Sequence, residues 1–161
     1  MSALEVRSSV KPGDAVALAA IARACGNFSD DEIAFVPEIL DELADKGEAV
    51  SGYRLLVAED AGGPLAFAIF GPIPATDRRF DLYWIATDPQ AQGKGAGRML
   101  LEECVSRARA EGGQRLFIET EMGEAYAAAH RLYEACGFRL IATIPDYYRD
   151  GAGRAIYGGP L

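Results

Sequence analysis

The segment Gln92-Gly93-Lys94-Gly95-Ala96-Gly97-Arg98 has the make-up of an anion cradle. Three glycines within five residues let the backbone turn tightly and bring main-chain N–H groups against a ligand with no Cβ in the way. The residues that follow read as a helix. The loop therefore ends at a helix N-terminus, where unpaired amides and the helix dipole favour a negative charge. Lys94 and Arg98 add positive charge to a chain that is otherwise acidic. A diphosphate suits this arrangement, although a glycine-rich turn that only joins strand to helix has the same composition. Other phosphate loops fit less well. A Walker A loop needs Ser or Thr after its Lys, and Lys94 is followed by Gly95. A dinucleotide fingerprint starting at Gly93 meets Arg98 where its last glycine belongs.

Several other chemistries are excluded. His130 is the only histidine, which leaves no histidine triad or multi-histidine metal site, and no metal is expected. The three cysteines lack metal-ligand or CxxC spacing and do not form a disulfide framework. A net charge of −8 argues against nucleic acid as a partner, because neutralising phosphates needs a basic face. It permits a cationic acceptor. No apolar run approaches the roughly 18–20 residues that would span a bilayer. The first residues, MSALEVRSSVKPGD, have neither the apolar core nor the cleavage site of a secretory signal. A cytoplasmic protein with no membrane partner is expected.

The elements that must position the loop follow from patterning. Leu4 to Val10 reads as a short strand. Asp14 is the expected N-cap of an Ala-rich helix ending near Cys25. Ser29 and Glu32 form a capping box that opens a second helix, which Pro37 either kinks or restarts. Tyr53 to Ala58 and Leu65 to Phe70 flank a Gly-rich turn and predict an antiparallel hairpin. Phe80 to Thr87 is a more central strand, stopped by Asp88-Pro89. Gly95 to about Ala110 is amphipathic, with Ala96, Met99, Leu100, Cys104, Val105 and Ala108 on its apolar face. Arg115 to Thr120 is a strand and Glu124 to Cys136 a helix stopped by Gly137. Phe138 to Thr143 and Ala155 to Tyr157 supply two last strands. Residues 1–161 read as one domain with a mixed sheet and helices packed on it.

With these elements in place, the chain resembles the GNAT superfamily of N-acetyltransferases. The family signature Q/R-x-x-G-x-G/A, set between a strand and a helix, is matched by Gln92, Gly95 and Gly97. A second signature, a helix ending in Tyr followed shortly by Gly-Phe, is matched by LYEACGF, from Leu132 to Phe138. The resemblance implies an α/β fold: a mostly antiparallel central sheet of about six or seven strands, about four flanking helices, and a splay between two central strands. It also implies acetyl-CoA as co-substrate. The pantetheine arm would pair with the backbone of Ile85, Ala86 and Thr87, and the amides of Gln92, Gly93, Lys94, Gly95, Ala96, Gly97 and Arg98 would hold the pyrophosphate. One departure stands out. Many members carry Asn seven residues before the helical Tyr, and this chain has Tyr126 there.

Acetyl transfer to an amine raises two proton problems. An alkylammonium with a pKa near 10.4 costs about 4–5 kcal/mol to deprotonate at pH 7. The departing thiolate must also be stabilised. The resemblance makes Tyr133 the candidate acid for the thiolate and Glu119 the candidate base, with Glu121 and Asp81 in reserve. The plainer readings are a core tyrosine on an amphipathic helix and a solvated strand carboxylate, or a partner for Arg115. The family's acceptor pocket would draw here on Phe28, Tyr147 and Tyr148, which could equally pack the sheet edge. Trp84 reads as a core or sheet-face residue.

The resulting expectation is an acetyl-CoA-dependent N-acetyltransferase acting on a primary amine of a small molecule or peptide. A non-catalytic acyl-CoA-binding or sensing module of the same fold is the alternative, since fold alone does not fix function. A nucleotide-binding P-loop protein is a third. No residue names the acceptor, and a homodimer is left open.

Overall fold

The computed structural model of the chain describes residues 3–161. In chain order the elements are β1 (Glu5–Arg7), α1 (Asp14–Cys25), α2 (Asp30–Ser51), β2 (Arg54–Asp60), β3 (Gly63–Pro72), β4 (Arg79–Thr87), α3 (Ala96–Ala110), β5 (Arg115–Glu121), α4 (Ala127–Ala135), β6 (Arg139–Arg149) and β7 (Ala152–Pro160). The strands form one seven-stranded sheet in the order β1-β2-β3-β4-β5-β7-β6. Every neighbouring pair is antiparallel except β4 and β5.

Helices cover both faces of the β2–β4 region, which explains its nearly unbroken apolar runs. Leu55 and Val57 of β2 face one core with Phe67 and Ile69 of β3, under Leu18 and Ile21 of α1 and Val36 and Leu40 of α2. Leu56 and Ala58 face the other, with Phe80 and Leu82 of β4, Leu116 and Ile118 of β5, and Leu100, Leu101 and Cys104 of α3. Each fully buried Leu contributes about 1.5–3 kcal/mol relative to an exposed one. The β2–β3 turn is tightened by the Gly62 N–H, which donates to the Asp60 carboxylate at 2.7 Å.

The irregularity that matters most is in β4. Ile69 pairs with Trp84 and Phe70 with Leu82, so Tyr83 is an extra residue and forms a β-bulge. The parallel ladder to β5 runs only from Arg79–Arg115 to Leu82–Ile118. Bulge and ladder end coincide, and beyond Tyr83 the two strands part. This is the splay that the sequence led us to expect.

Local expectations needed correction in four places. Asp14 does not cap α1; Gly13 does, with φ 90°, and Asp14 is buried and accepts from Arg7 and from the Lys11 N–H. α2 runs through Pro37, and its helical geometry breaks instead at Gly47, with φ 73° and ψ 172°. The segment from Glu124 begins as a 3₁₀ turn, Glu124–Tyr126, before α4 starts at Ala127. On α3 Met99 faces solvent and Leu101 takes its place in the core. The capping box of Ser29 and Glu32 forms as expected. The last two strands extend well beyond their apolar residues, because the β6–β7 ladder is held by main-chain pairing.

Candidate active site

Where β4 and β5 part, a cavity of about 620 Å³ opens. Leu82, Tyr83 and Ile85 line it from β4, and Ile118 to Glu121 from β5. Ala129 and Tyr133 of α4 close one side; Phe28 from the α1–α2 connection and Glu32 of α2, with Tyr126, Tyr148 and Arg149, form the mouth. The structure thus brings Ile85, Glu119, Tyr133, Phe28 and Tyr148 to one space. Tyr147 lies outside this lining, with its ring 4.6 Å from the Arg154 guanidinium. Trp84 packs with the α1–α2 core and stacks on Phe28, ring centres 4.7 Å apart.

The glycine loop leads into α3 beside β4. Gly93 and Gly95 take left-handed φ values of 79° and 83°, which a side chain would resist. Gly97 is needed for a different reason: a Cβ there would stand 3.3 Å from Leu132 Cδ2 and 3.5 Å from Thr87 Oγ1. Gly95 is the N-cap of α3 and provides no side-chain cap. The first helical bond runs from Met99 N–H to the Gly95 carbonyl at 3.0 Å, so the amides of Ala96, Gly97 and Arg98 have no intrahelical acceptor. Within the loop, Gln92 and Lys94 spend their amides on the carbonyls of Pro89 and Ala91, at 3.4 and 3.3 Å. From Tyr83 to Thr87 the β5-facing edge of β4 has no strand partner. That edge offers unpaired main-chain groups to an extended amide-bearing arm, and the unbonded α3 amides offer donors to an anion.

Tyr133 is 4% exposed, and its hydroxyl makes no hydrogen bond among the described residues. Burial, reinforced by Cys25 and Tyr157, holds its pKa above that of an ordinary phenol. It stays protonated at neutral pH and can donate into the cavity. Its ring is fixed edge-on against Tyr157, centres 5.5 Å apart.

The carboxylates facing the cavity all have partners. Glu119 is ion-paired with Arg154 of β7. Arg115 stands four residues earlier on the same strand, about 13 Å away at the rise of a strand, and is not its partner. Glu121 accepts from Arg149 at 2.7 and 3.3 Å and from the Tyr126 hydroxyl at 3.3 Å. The same hydroxyl lies 3.2 Å from the Asn27 carbonyl. Burial and the charge of Glu121 push the Tyr126 phenol up to about 12. At the position where many members carry Asn, this chain therefore has a phenol that ties the α1–α2 connection to the end of β5. Glu32 accepts from the Ser29 N–H at 2.7 Å in the capping box.

Sequence reasoning missed Tyr83, Arg149 and Arg154. For the two arginines no local signal exists, because each meets its carboxylate across strands roughly thirty residues apart in sequence. Tyr83 was within reach: it lies beside Trp84 in a strand whose period-2 alternation fails at this point. Among the described residues no group of three or more His, Cys, Asp or Glu could hold a metal ion, and no helix is long and apolar enough to cross a membrane.

Comparison with known proteins agrees with this architecture. A GNAT-family acetyltransferase crystal structure from Desulfovibrio desulfuricans is 37% identical, with a TM-score of 0.92 over 98% of this chain and 99% of that one. A Salmonella typhimurium acetyltransferase structure, solved with its cofactor acetyl-CoA, has a TM-score of 0.80 at 24% identity, over 99% of this chain and 94% of that one. The ribosomal protein bS18 alanine N-acetyltransferase of Salmonella typhimurium is 38% identical over 72 residues, 45% of this chain and 47% of that protein. The chain spans about half or less of the length of the first curated relatives it matches. The sequence model of the acetyltransferase (GNAT) family matches residues 18–138, and the chain belongs to that family.

Proposed function

We propose that the protein is an acetyl-CoA-dependent N-acetyltransferase that modifies a primary amine of a small molecule or peptide. The observation that carries this reading is the placement of Tyr133 and Glu119 around one cavity, where the unpaired edge of β4 leads to the free amides of α3. Bound acetyl-CoA would supply an activated acyl group. The main chain of Ile85, Ala86 and Thr87 would hold its pantetheine arm. Gly93, Gly95, Ala96, Gly97 and Arg98 would take the diphosphate through their amides, with Lys94 and Arg98 adding charge and Gln92 shaping the turn. The solved relative with acetyl-CoA and the fit of the cradle support this assignment.

The amine nitrogen attacks the thioester carbonyl, the C–N bond forms and the C–S bond breaks. Glu119, directly or through water, accepts the proton the nitrogen must lose. Tyr133 donates a hydrogen bond to the leaving sulfur. An ordinary phenol, near 10, is less acidic than a thiol, near 8.5, and burial raises both. Stabilisation of the thiolate by the phenol therefore outweighs full proton transfer during bond cleavage. Phe28 and Tyr148 offer aromatic faces at the mouth for a cationic acceptor, and Tyr147 stands just behind Tyr148.

One observation favours a second reading, a module that binds acyl-CoA without turnover: neither Glu119 nor Glu121 is free to accept a proton as it stands. Thiol release from acetyl-CoA, measured against amino acids, polyamines, aminoglycosides and N-terminal peptides, decides between them. We expect turnover of at least one of these amines. Tight acetyl-CoA binding with no thiol released by any of them would replace the enzyme with the binding module.

A further inference from the structure

Three carboxylates line the cavity, and two of them already hold a cation: Glu119 is paired with Arg154, and Glu121 with Arg149. The third, Glu32, stands exposed at the mouth. Its carboxylate accepts from the Ser29 N–H and pairs with no cation among the described residues. That hydrogen bond does not need the charge, because a capping box forms with Gln at this position as well as with Glu. Asp30 and Asp31 already place acid in the first turn of α2. The negative charge of Glu32 is therefore surplus to the helix it starts.

Three aromatic residues share the mouth with Glu32, and each is held from behind. Phe28 stacks on Trp84, and Tyr148 meets Tyr147 edge-on with ring centres 5.0 Å apart. Tyr126 is fixed through its hydroxyl, 3.2 Å from the Asn27 carbonyl and 3.3 Å from Glu121. Burial is the main cause of the raised pKa of Tyr126 and of Tyr148, and the charge of Glu32 adds to it in both, so its carboxylate acts on the same space. Fixed rings around an opening with one unpaired carboxylate are the composition that holds an organic cation. The reacting amine does not supply that cation, because it must be neutral to attack the thioester. A second ammonium or guanidinium on the acceptor stays charged at neutral pH.

We propose that the acceptor carries two cationic groups, one that is acetylated and a second that Glu32 holds at the mouth among Phe28, Tyr126 and Tyr148. The reacting end of this proposal rests on the acetyltransferase reading. A free diamine and a peptide with a basic residue next to its amino terminus share the required chemistry, and two pairs of probes separate them. Cadaverine, a five-carbon diamine, is compared with pentylamine, and alanyl-arginine amide with alanyl-glutamine amide. In at least one pair the dication should win by about tenfold in kcat/KM, and the pair that shows the preference names the source. Glu32→Gln keeps the capping box, so its melting temperature should change little while the ratio falls to about one. Equal kcat/KM within both pairs, or a preference that survives Glu32→Gln, overturns the proposal. Isothermal titration of the same probes into the full chain with coenzyme A reads the site without turnover. The dication of the preferred pair should bind about tenfold more tightly than its partner in the wild type and equally in Glu32→Gln. That result in a protein that acetylates nothing supports the dication site and removes the enzyme reading instead. Acetylation of amines with no difference within either pair keeps the enzyme and overturns the site.

Discussion

Arg149 donates to both carboxylate oxygens of Glu121, at 2.7 and 3.3 Å, and so ties the far end of β6 to the end of β5 at the cavity mouth. Tyr126 joins the same carboxylate from the turn before α4. A charge pair on an open surface contributes at most about 1 kcal/mol, and the Arg149 side chain is 68% exposed. The strap therefore shapes the mouth more than it stabilises the fold. Arg149→Gln should leave stability in urea denaturation nearly unchanged, yet change the ranking of acceptors in a kcat/KM panel. A ranking identical to wild type would show that the mouth is set elsewhere.

Tyr133→Phe removes one oxygen from a buried ring whose packing against Tyr157 persists. The hydroxyl makes no hydrogen bond among the described residues, so folding should be almost unaffected. If the phenol stabilises the leaving sulfur, kcat should fall by about a hundredfold with little change in the KM for acetyl-CoA, in the range expected for a positioned acid. Stopped or steady-state thiol release measures it. A Phe variant with wild-type kcat would leave Tyr133 as a core residue only.

The sheet, its order of elements and the glycine loop were legible because their causes are local. Alternating or continuous apolar runs, Gly-rich turns and one capping box each act over a few residues, and the loop motif lies within seven. What the sequence hid is of another kind. The Glu119–Arg154 and Glu121–Arg149 pairs depend on which strands become neighbours, and the crossover that places β7 between β5 and β6 puts residues from the chain's end beside β5. Asp14 was misread for a related reason. Its position suits an N-cap, but its carboxylate turns to Arg7 of β1 and the Lys11 N–H, and Gly13, in the left-handed conformation, is the N-cap instead. Tyr83 was passed over because a bulge changes the facing of a strand without altering its apolar composition.

Gly97 tests the cradle itself. A valine there must fit two methyl groups against Leu132 and Thr87, where even a Cβ is close. Overpacking of this kind costs about 1–3 kcal/mol and is relieved by shifting the first turn of α3. The amides of that turn are the proposed diphosphate ligands. Gly97→Val should therefore weaken acetyl-CoA at least about tenfold, a loss of ~1.4 kcal/mol, in isothermal titration. The variant's melting temperature separates weakened binding from unfolding. A folded variant that binds acetyl-CoA as tightly as wild type would place the diphosphate away from α3.

Asp14 links stability to pH. It is 3% exposed, and burial by itself would raise its pKa. The hydrogen bonds from Arg7, at 2.7 and 2.8 Å, and from the Lys11 N–H, with the charges of both residues, outweigh burial and leave the pKa lowered. A carboxyl whose folded pKa lies below its unfolded value binds a proton more readily when unfolded. Its contribution is therefore complete above the unfolded value, near 3.9, and is lost as pH falls through the lower folded value. Asp14→Asn leaves the Arg7 guanidinium with Glu59, 2.7 Å away, as its one carboxylate beside the Ser9 carbonyl, and should cost about 3 kcal/mol at pH 7. The gap between variant and wild type should narrow only below about pH 4, as the native carboxyl protonates. Urea denaturation of both proteins at pH 7, 4 and 3 measures this. A constant gap across that range would mean that Asp14 acts through packing and capping geometry instead of through its charge.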